Sequence, residues 1–266
     1  MHVHFLDPYH HRSSPVHQLD PRVKLLLSLA FTLTSALTPP GAWPAYILLL
    51  AMVLSVEILS DLGVRHVQKR SLLALPFILA ALPIIFTVSG DPLASFSIGP
   101  WTLTITQPGL ERFISIALKS WISVQAAVVL AASTPFPALL AAMRAIYIPR
   151  LLVAIFGLMW RYLFVLADEA LRLMRARAAR SGQADTPGAR TGGSLTWRAR
   201  VTGGMAGNLF LRAFERSDRI YMAMLSRGYD GEVRTIPLPR LSGSQVAVLA
   251  LGLLLLGFLL ILAFSL

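Results

Sequence analysis

The chain has 266 residues, is 55% hydrophobic and only 14% charged, with a mean hydropathy of +0.65, against about a quarter charged in an ordinary soluble domain. That balance, with several long apolar runs, points to a polytopic membrane protein. The absence of cysteine excludes disulfides, thiolate catalysis and Cys-based metal sites, and in a membrane protein the net charge of +11 marks cytoplasmic loops more readily than a nucleic-acid surface.

Residues 1–22 are polar and proline-bearing and form an N-terminal cytoplasmic or interfacial arm. Five of the six histidines are here, His2, His4, His10, His11 and His17. A metal site is one reading, since imidazole is the commonest metal ligand. A leader whose histidines bind nothing specific is the preferred one, because no scaffold is visible to order them. No cleavable signal peptide is expected, the start being polar with no early apolar run. The first span, Val23–Leu37, opens on Asp20-Pro21, a cap followed by proline at the first helical position. Thr38-Pro39-Pro40-Gly41 turns the chain into a second span, Ala42–Leu59. A basic loop, Asp61–Arg70, precedes a third span, Ser71–Val88, which Pro76 and Pro83 are expected to kink. Ser89–Pro108 carries no basic residue, and the alternation in Trp101-Thr102-Leu103-Thr104-Ile105-Thr106 suggests a short hairpin. Gly109–Ala132 is the fourth span. Arg112 and Lys119 fall inside it; Arg112 is read as a headgroup-level residue, and the role of Lys119 is open between a functional charge and a structural one.

Ser133-Thr134-Pro135 breaks the fourth span, and Phe136–Tyr147 reads as a short amphipathic helix before Pro149. From Arg150 to Arg180 the sequence supports one long helix, apolar over Leu151–Leu166 except for Arg161 and arginine-rich at its end. A glycine-rich loop follows, then a second long helix, Leu195–Leu225, with a helical apolar period. Within it Gly203 and Gly207 form a pair of small residues that would admit another helix, and Gly228 stands where a C-cap is expected. A proline-bearing connector leads to a last span, Val246–Phe264, of 19 residues without a polar side chain. The expected organisation is thus four transmembrane helices over 23–132, a coupling-helix region over 133–240, and a C-terminal transmembrane helix in 241–266.

Charge sets the topology. Of 24 Lys and Arg, 16 lie between Arg144 and Arg240, and six more are in the arm through Lys24 or the 61–70 loop. The 38–41 turn, the 89–108 loop and the C-terminal tail carry none. Under the positive-inside rule this predicts a cytoplasmic N-terminus, five crossings and a large basic cytoplasmic region. Making Leu151–Leu166 a crossing would place the following arginines outside. The fold expected is all-α and polytopic, with about five transmembrane helices and two long cytoplasmic coupling helices.

Most of these arginines serve as topology anchors and lipid contacts. Arg180 and Arg227 stand apart, each ending a separate long helix between small residues, in Ala179-Arg180-Ser181 and Ser226-Arg227-Gly228. Small neighbours leave a guanidinium free to enter a groove and fork onto carboxylates. A helix tip docking into a cytoplasmic protein fits this better than nucleic-acid binding, for which no aromatic-interleaved basic face exists.

The opening Asp20-Pro21-Arg22-Val23-Lys24-Leu25-Leu26, the Ser133-Thr134-Pro135 break, Arg161-Tyr162 with Asp168-Glu169, and the two Ala-Arg-Gly-like signatures resemble the transmembrane (T) component of energy-coupling factor (ECF) transporters, in its cobalt-transport branch, CbiQ. The signatures depart from Ala-Arg-Gly at Ser181 and Ser226, both still small. The resemblance implies a non-catalytic, multi-pass subunit of an ABC-type importer in the cell membrane, with no cofactor or metal of its own. Its partners would be two cytoplasmic ABC ATPase subunits and a separate substrate-binding membrane subunit like CbiM. It implies further that Ala179, Arg180, Ser181, Ser226, Arg227 and Gly228 are the ATPase-coupling contacts. Cobalt uptake is the transport implied, with nickel or a vitamin left open because specificity would sit in another subunit. An intramembrane metal-dependent enzyme lacks any HExxH-like pair, and a self-contained secondary transporter lacks inverted repeats.

Overall fold

The computed structural model describes residues 9–98, 101–180, 194–231 and 239–265. They divide into two compact units, one built from Pro8–Ile146 with Pro237–Leu266 and one containing Tyr147–Ile236. The fold is all-α and polytopic, with a single two-stranded hairpin among the described residues.

The first unit begins with a short helix α1 (Pro15–Gln18) and then α2 (Pro21–Leu37), whose start follows local chemistry. Asp20 caps it by accepting from the Arg22 N–H at 2.8 Å, and Pro21 occupies the first turn, where a missing N–H costs nothing. α3 (Trp43–Leu59) returns after a turn at Gly41, where φ is +87° and the N–H donates to Ser115 Oγ at 3.3 Å. A Cβ there would also lie 2.8 Å from Glu111 Oε1, so both backbone and neighbour demand glycine.

The expected third span differs from a single kinked helix. Helix begins earlier, at α4 (Val64–Ser71), continues as a 3₁₀ turn over Leu72–Ala74, and resumes as α5 (Leu75–Ala80) and α6 (Ile84–Thr87). The breaks follow from proline chemistry. Pro76 enters α5 in its first turn and Pro83 stands at the N-cap of α6, so each proline starts a segment it could not continue. The Leu72 carbonyl, which Pro76 cannot serve, instead accepts the Leu75 N–H in an i→i+3 bond. Part of the expected 61–70 loop is therefore helical.

β1 (Pro92–Ile98) and β2 (Trp101–Thr106) pair antiparallel, with Ser95 opposite Thr104 and an irregularity between Pro92 and Ala94. This is the hairpin that the alternation of β2 suggested. Thr106 then caps α7 (Gln107–Ser133) by accepting from the Gly109 N–H at 3.2 Å, while its hydroxyl donates to the Val88 carbonyl at 2.7 Å. α7 stops at Thr134, held extended before Pro135, and α8 (Phe136–Ala145) follows.

α2, α3, α7 and the last helix, α11 (Gly243–Ser265), share one core in which Phe31, Leu49, Val53, Ile122, Ala126, Leu256 and Leu259 pack together. Gly252 lets α11 close on α2, since a Cβ there would fall 2.5 Å from Leu27. The opposite face of α11 carries Leu251, Leu254, Phe258 and Ile261, all at least 65% exposed. In water such a face would be unstable. In a bilayer it is the lipid contact, and its 23 residues span roughly 35 Å.

Two lysines tie α2 to α7 reciprocally. Lys24, near the start of α2, is buried and donates from Nζ to the Ser133 carbonyl at 3.0 Å and the His17 carbonyl at 3.2 Å. Lys119, on α7, donates to the Ala36 carbonyl at 3.0 Å. Each lysine thus reaches a carbonyl in the last turn of the antiparallel neighbour, where no helical N–H is available. Lys119 is a structural charge.

The N-terminal arm is held to this unit. The His10 N–H donates to the Ala132 carbonyl at 3.0 Å, and the His10 and His66 rings meet edge to face at 4.9 Å. His17 Nε2 donates to the His10 carbonyl at 3.0 Å, and Nδ1 lies 2.7 Å from Ser14 Oγ. Burial, with Lys24 and Arg12 nearby, holds the His17 imidazole below its ordinary pKa and so neutral. Its two ring nitrogens are therefore engaged, leaving neither for a metal. His2 and His4 lie outside the described residues.

The other unit contains α9 (Arg150–Arg180) and α10 (Leu195–Leu225), each of 31 residues. By length and hydropathy, α9 qualifies as a membrane crossing alongside α7, α11 and the Val64–Thr87 run, because its first half is the apolar stretch Leu151–Leu166.

Candidate functional site: two arginine-tipped helices

α9 and α10 run antiparallel and are joined by polar side-chain contacts. Glu169, on α9, receives two guanidiniums from α10. Arg212 Nη1 donates to Oε1 at 3.3 Å and Arg216 Nη2 to Oε2 at 3.0 Å. Arg212 and Arg216 are one turn apart, so both face the same carboxylate. Eight residues further along α9, Arg177 donates to Thr202 Oγ1 at 3.0 Å and lies over the Trp197 ring at 5.9 Å. Advancing along α9 from 169 to 177 retreats along α10 from 216 to 202, which fixes the antiparallel sense. A cavity of about 460 Å³ lies beside the carboxylate, walled by Asp168, Arg172, Leu173 and the two α10 arginines. Nothing in the sequence marks this clamp, since the i, i+4 spacing of Arg212 and Arg216 only puts the two on one helix face.

The tips are at opposite ends of the pair. Arg180 lies three residues past the Arg177–Thr202 contact, and Arg227 lies 25 residues beyond Thr202 on α10. At 1.5 Å per residue the two arginines are on the order of 40 Å apart. Ala179, Arg180, Ser226, Arg227 and Gly228 are all exposed, and neither Arg180 nor Arg227 has a partner among the described residues. Ser181 lies outside them. Both guanidiniums sit at helix C-termini, where cations are favoured.

The second tip is built by a Schellman cap. The Gly228 N–H donates to the Leu225 carbonyl at 2.9 Å and the Tyr229 N–H to the Met224 carbonyl at 3.0 Å. Gly228 has φ +77° and open space around it, so its requirement is conformational, not steric. Gly228→Ala is expected to cost about 1 kcal/mol and fray the last turn. Amide exchange at Leu225–Tyr229 should rise by roughly fivefold, with the rest of α10 unchanged.

Apolar side chains are left outward on both helices. Ile155, Met159 and Met174 on α9 and Phe210, Phe214 and Met222 on α10 are each at least half exposed. A Cβ at Gly203, Gly204 or Gly207 would meet nothing, so the small-residue face is open among the described residues. Among the described residues no group of three or more His, Asp or Glu is arranged to hold a metal ion.

An all-α polytopic membrane protein that carries two arginine-tipped helices in a unit distinct from its main bundle has the form of a transporter's membrane component. Residues 12–237 match the family model described as cobalt transport protein, CbiQ. The chain belongs to the CbiQ family of ECF-transporter T components. It is 30% identical to the cobalt transport protein CbiQ of Salmonella typhimurium over 218 residues, which covers 80% of this chain and 91% of that one. It is 28% identical to CbiQ of Rhodobacter capsulatus over 87% of this chain and 91% of that one. The ECF transporter transmembrane protein EcfT of Thermosediminibacter oceani is 27% identical over 92% of each chain.

Proposed function

We propose that this T component couples two cytoplasmic ATPase subunits to a separate substrate-binding membrane subunit, and that the cargo is cobalt ion. The observation that carries the coupling role is the pair of exposed arginines, without a partner among the described residues, at opposite ends of one clamped helix pair. Tips about 40 Å apart suit two sockets on two subunits better than one groove on one. With the helices tied at Glu169, a change in the spacing of the sockets tilts the pair as a body. The outward apolar side chains then pass that tilt to a neighbour in the membrane. Cobalt is supported by the names of the relatives. A fused protein of Methanocorpusculum labreanum named CbiMQ, 27% identical over 82% of this chain, supports a CbiM-like partner for the membrane side.

In this reading the N-terminus is cytoplasmic and α9 lies on the cytoplasmic side despite its apolar first half. Crossing would place Arg172, Arg175, Arg177 and Arg180 outside, against the positive-inside rule. The test is co-purification of tagged protein with co-expressed ATPase and membrane subunits, comparing wild type with Arg180→Ala/Arg227→Ala. The ATPases are expected to remain with wild type and to fall at least tenfold with the double variant, while the membrane partner stays. Radioactive cobalt uptake should fall in parallel, with nickel as the competing ion. ATPases retained at wild-type level with both arginines gone would defeat the coupling assignment.

A further inference from the structure

Outside the coupling helices, one cavity combines a basic head with an apolar wall. It measures about 610 Å³ and is lined by His66, Lys69, Arg70, Leu72, Leu73 and Pro76, where α4 passes through the 3₁₀ turn into α5. Lys69 and Arg70 make no ion pair among the described residues. His66 stands one turn before Lys69 and Arg70 on the same helical face, its Nε2 buried. The wall beyond them is open. Leu72 is 48% and Leu73 70% exposed. These groups stand in the first half of the Val64–Thr87 run, long and apolar enough to cross a membrane, so the polarity gradient of the cavity follows the run from charged to apolar.

We infer that this cavity is a binding site for one anionic phospholipid, its phosphate held by Lys69 and Arg70 and one acyl chain lying along Leu72, Leu73 and Pro76. Two adjacent cations ask for an oxyanion. A free phosphate would satisfy them, but it would leave the leucine wall without an occupant. A zwitterionic lipid would fit the wall, but it would bring a third cation to a site that already has two. The lipid with both an anionic head and a chain meets every lining group. The break at Pro76 contributes, because the 3₁₀ turn replaces regular helix where the head gives way to the chain. The site uses neither Arg180 nor Arg227 and does not rest on the coupling assignment.

Native mass spectrometry of the delipidated, detergent-purified chain tests this, with added phosphatidylglycerol, phosphatidylcholine or inorganic phosphate as probes. One phosphatidylglycerol is expected to be retained in preference to phosphatidylcholine. Lys69→Gln/Arg70→Gln is expected to reduce that retention by roughly tenfold or more, at about a tenfold loss for each 1.4 kcal/mol and about 1 kcal/mol per basic contact. Arg65→Gln, on the same helix but outside the cavity lining, should leave it unchanged. Leu73→Asp should also abolish it through the chain wall, which a site for phosphate alone would tolerate. The single variants Lys69→Gln and Arg70→Gln carry the same comparison if the double variant does not fold. Equal retention of both lipids, displacement of phosphatidylglycerol by millimolar phosphate, or the same loss in Arg65→Gln would each overturn the proposal.

Discussion

Glu169→Lys should uncouple the protein without touching either tip. The carboxylate is the only acceptor that Arg212 and Arg216 share in the described chain, and it ties α9 to α10 through one charge-assisted bond from each. Replacing it with a cation sets a third positive charge against those two, with Arg172 beside the same cavity. The arginines are partly exposed, Arg212 by 52% and Arg216 by 34%, so solvent screens the pair. The two bonds together are then worth about 1–2 kcal/mol rather than the value for buried charges. That suffices for a measurable loss, because both bonds cross from α10 to the one carboxylate. The expected result is a chain that still binds ATPase subunits through its tips but transports at least tenfold more slowly. Glu169→Ala should give a milder loss. Charge reversal provides the control: Glu169→Arg combined with Arg212→Glu and Arg216→Glu should recover part of the transport. A coupling energy near zero in that cycle would mean that the clamp does not link the helices.

In the proposed coupling role the transmission of force runs through a polar tie, and there is a physical reason for it. An apolar seam between α9 and α10 would compete with the membrane partner for the same leucines, phenylalanines and methionines. By joining the pair through Glu169 and through Arg177–Thr202, the chain keeps Phe210, Phe214, Met159 and Met174 available on the outside. The arginine-rich composition of the region therefore does three jobs with one residue type. It clamps the helices and forms the tips and, in the proposed orientation, sets topology.

Much of this fold could be read from local chemistry. Asp20-Pro21 placed the start of α2, the apolar period placed α10 at Leu195–Leu225, alternation in 101–106 placed the hairpin, and Gly228 marked a C-cap. These succeed because caps, turns and periods are written within a few residues of where they act. The third span was less legible. Two prolines were read as kinks, whereas each begins a new segment, and the helix starts in the basic stretch before the apolar run. Hydropathy separates charged from apolar residues, but the backbone at Val64–Ser71 pays no heed to that border. The α9 assignment shows the opposite limit: hydropathy alone marks it as a crossing, and only charge placement argues otherwise. The Glu169 clamp and the role of Lys119 could not be read at all. Each joins residues far apart in sequence, 43 or 47 positions for the clamp and 83 for Lys119, and nothing local distinguishes a bonded charge from a solvated one.

The reciprocal lysines give the largest effect expected on stability. Lys24→Met preserves the stem that packs within the bundle but withdraws the ammonium from the Ser133 and His17 carbonyls. Those carbonyls then lose a charged donor in a buried setting, a loss of about 2–3 kcal/mol, since hydrogen bonds to charged groups contribute roughly 1.5–3 each and two share one donor. Part of it should appear as detachment of the arm, because His17 and the Ala132–Ser133 end of α7 are held together through Lys24 and through the His10–Ala132 bond. Lys119→Met removes one bond to Ala36 and should cost less, about 1–2 kcal/mol. The two sites lie at opposite ends of the α2–α7 pair and share no partner, so the double variant should lose the sum within a few tenths of a kcal/mol. Thermal unfolding in detergent checks this through three falling midpoints with the double variant lowest. Arginine at position 24 should not restore it, because a planar fork cannot fill the compact place of an ammonium between two backbone oxygens. A Lys24→Met midpoint equal to wild type would show that the bundle holds α2 against α7 through its apolar core alone.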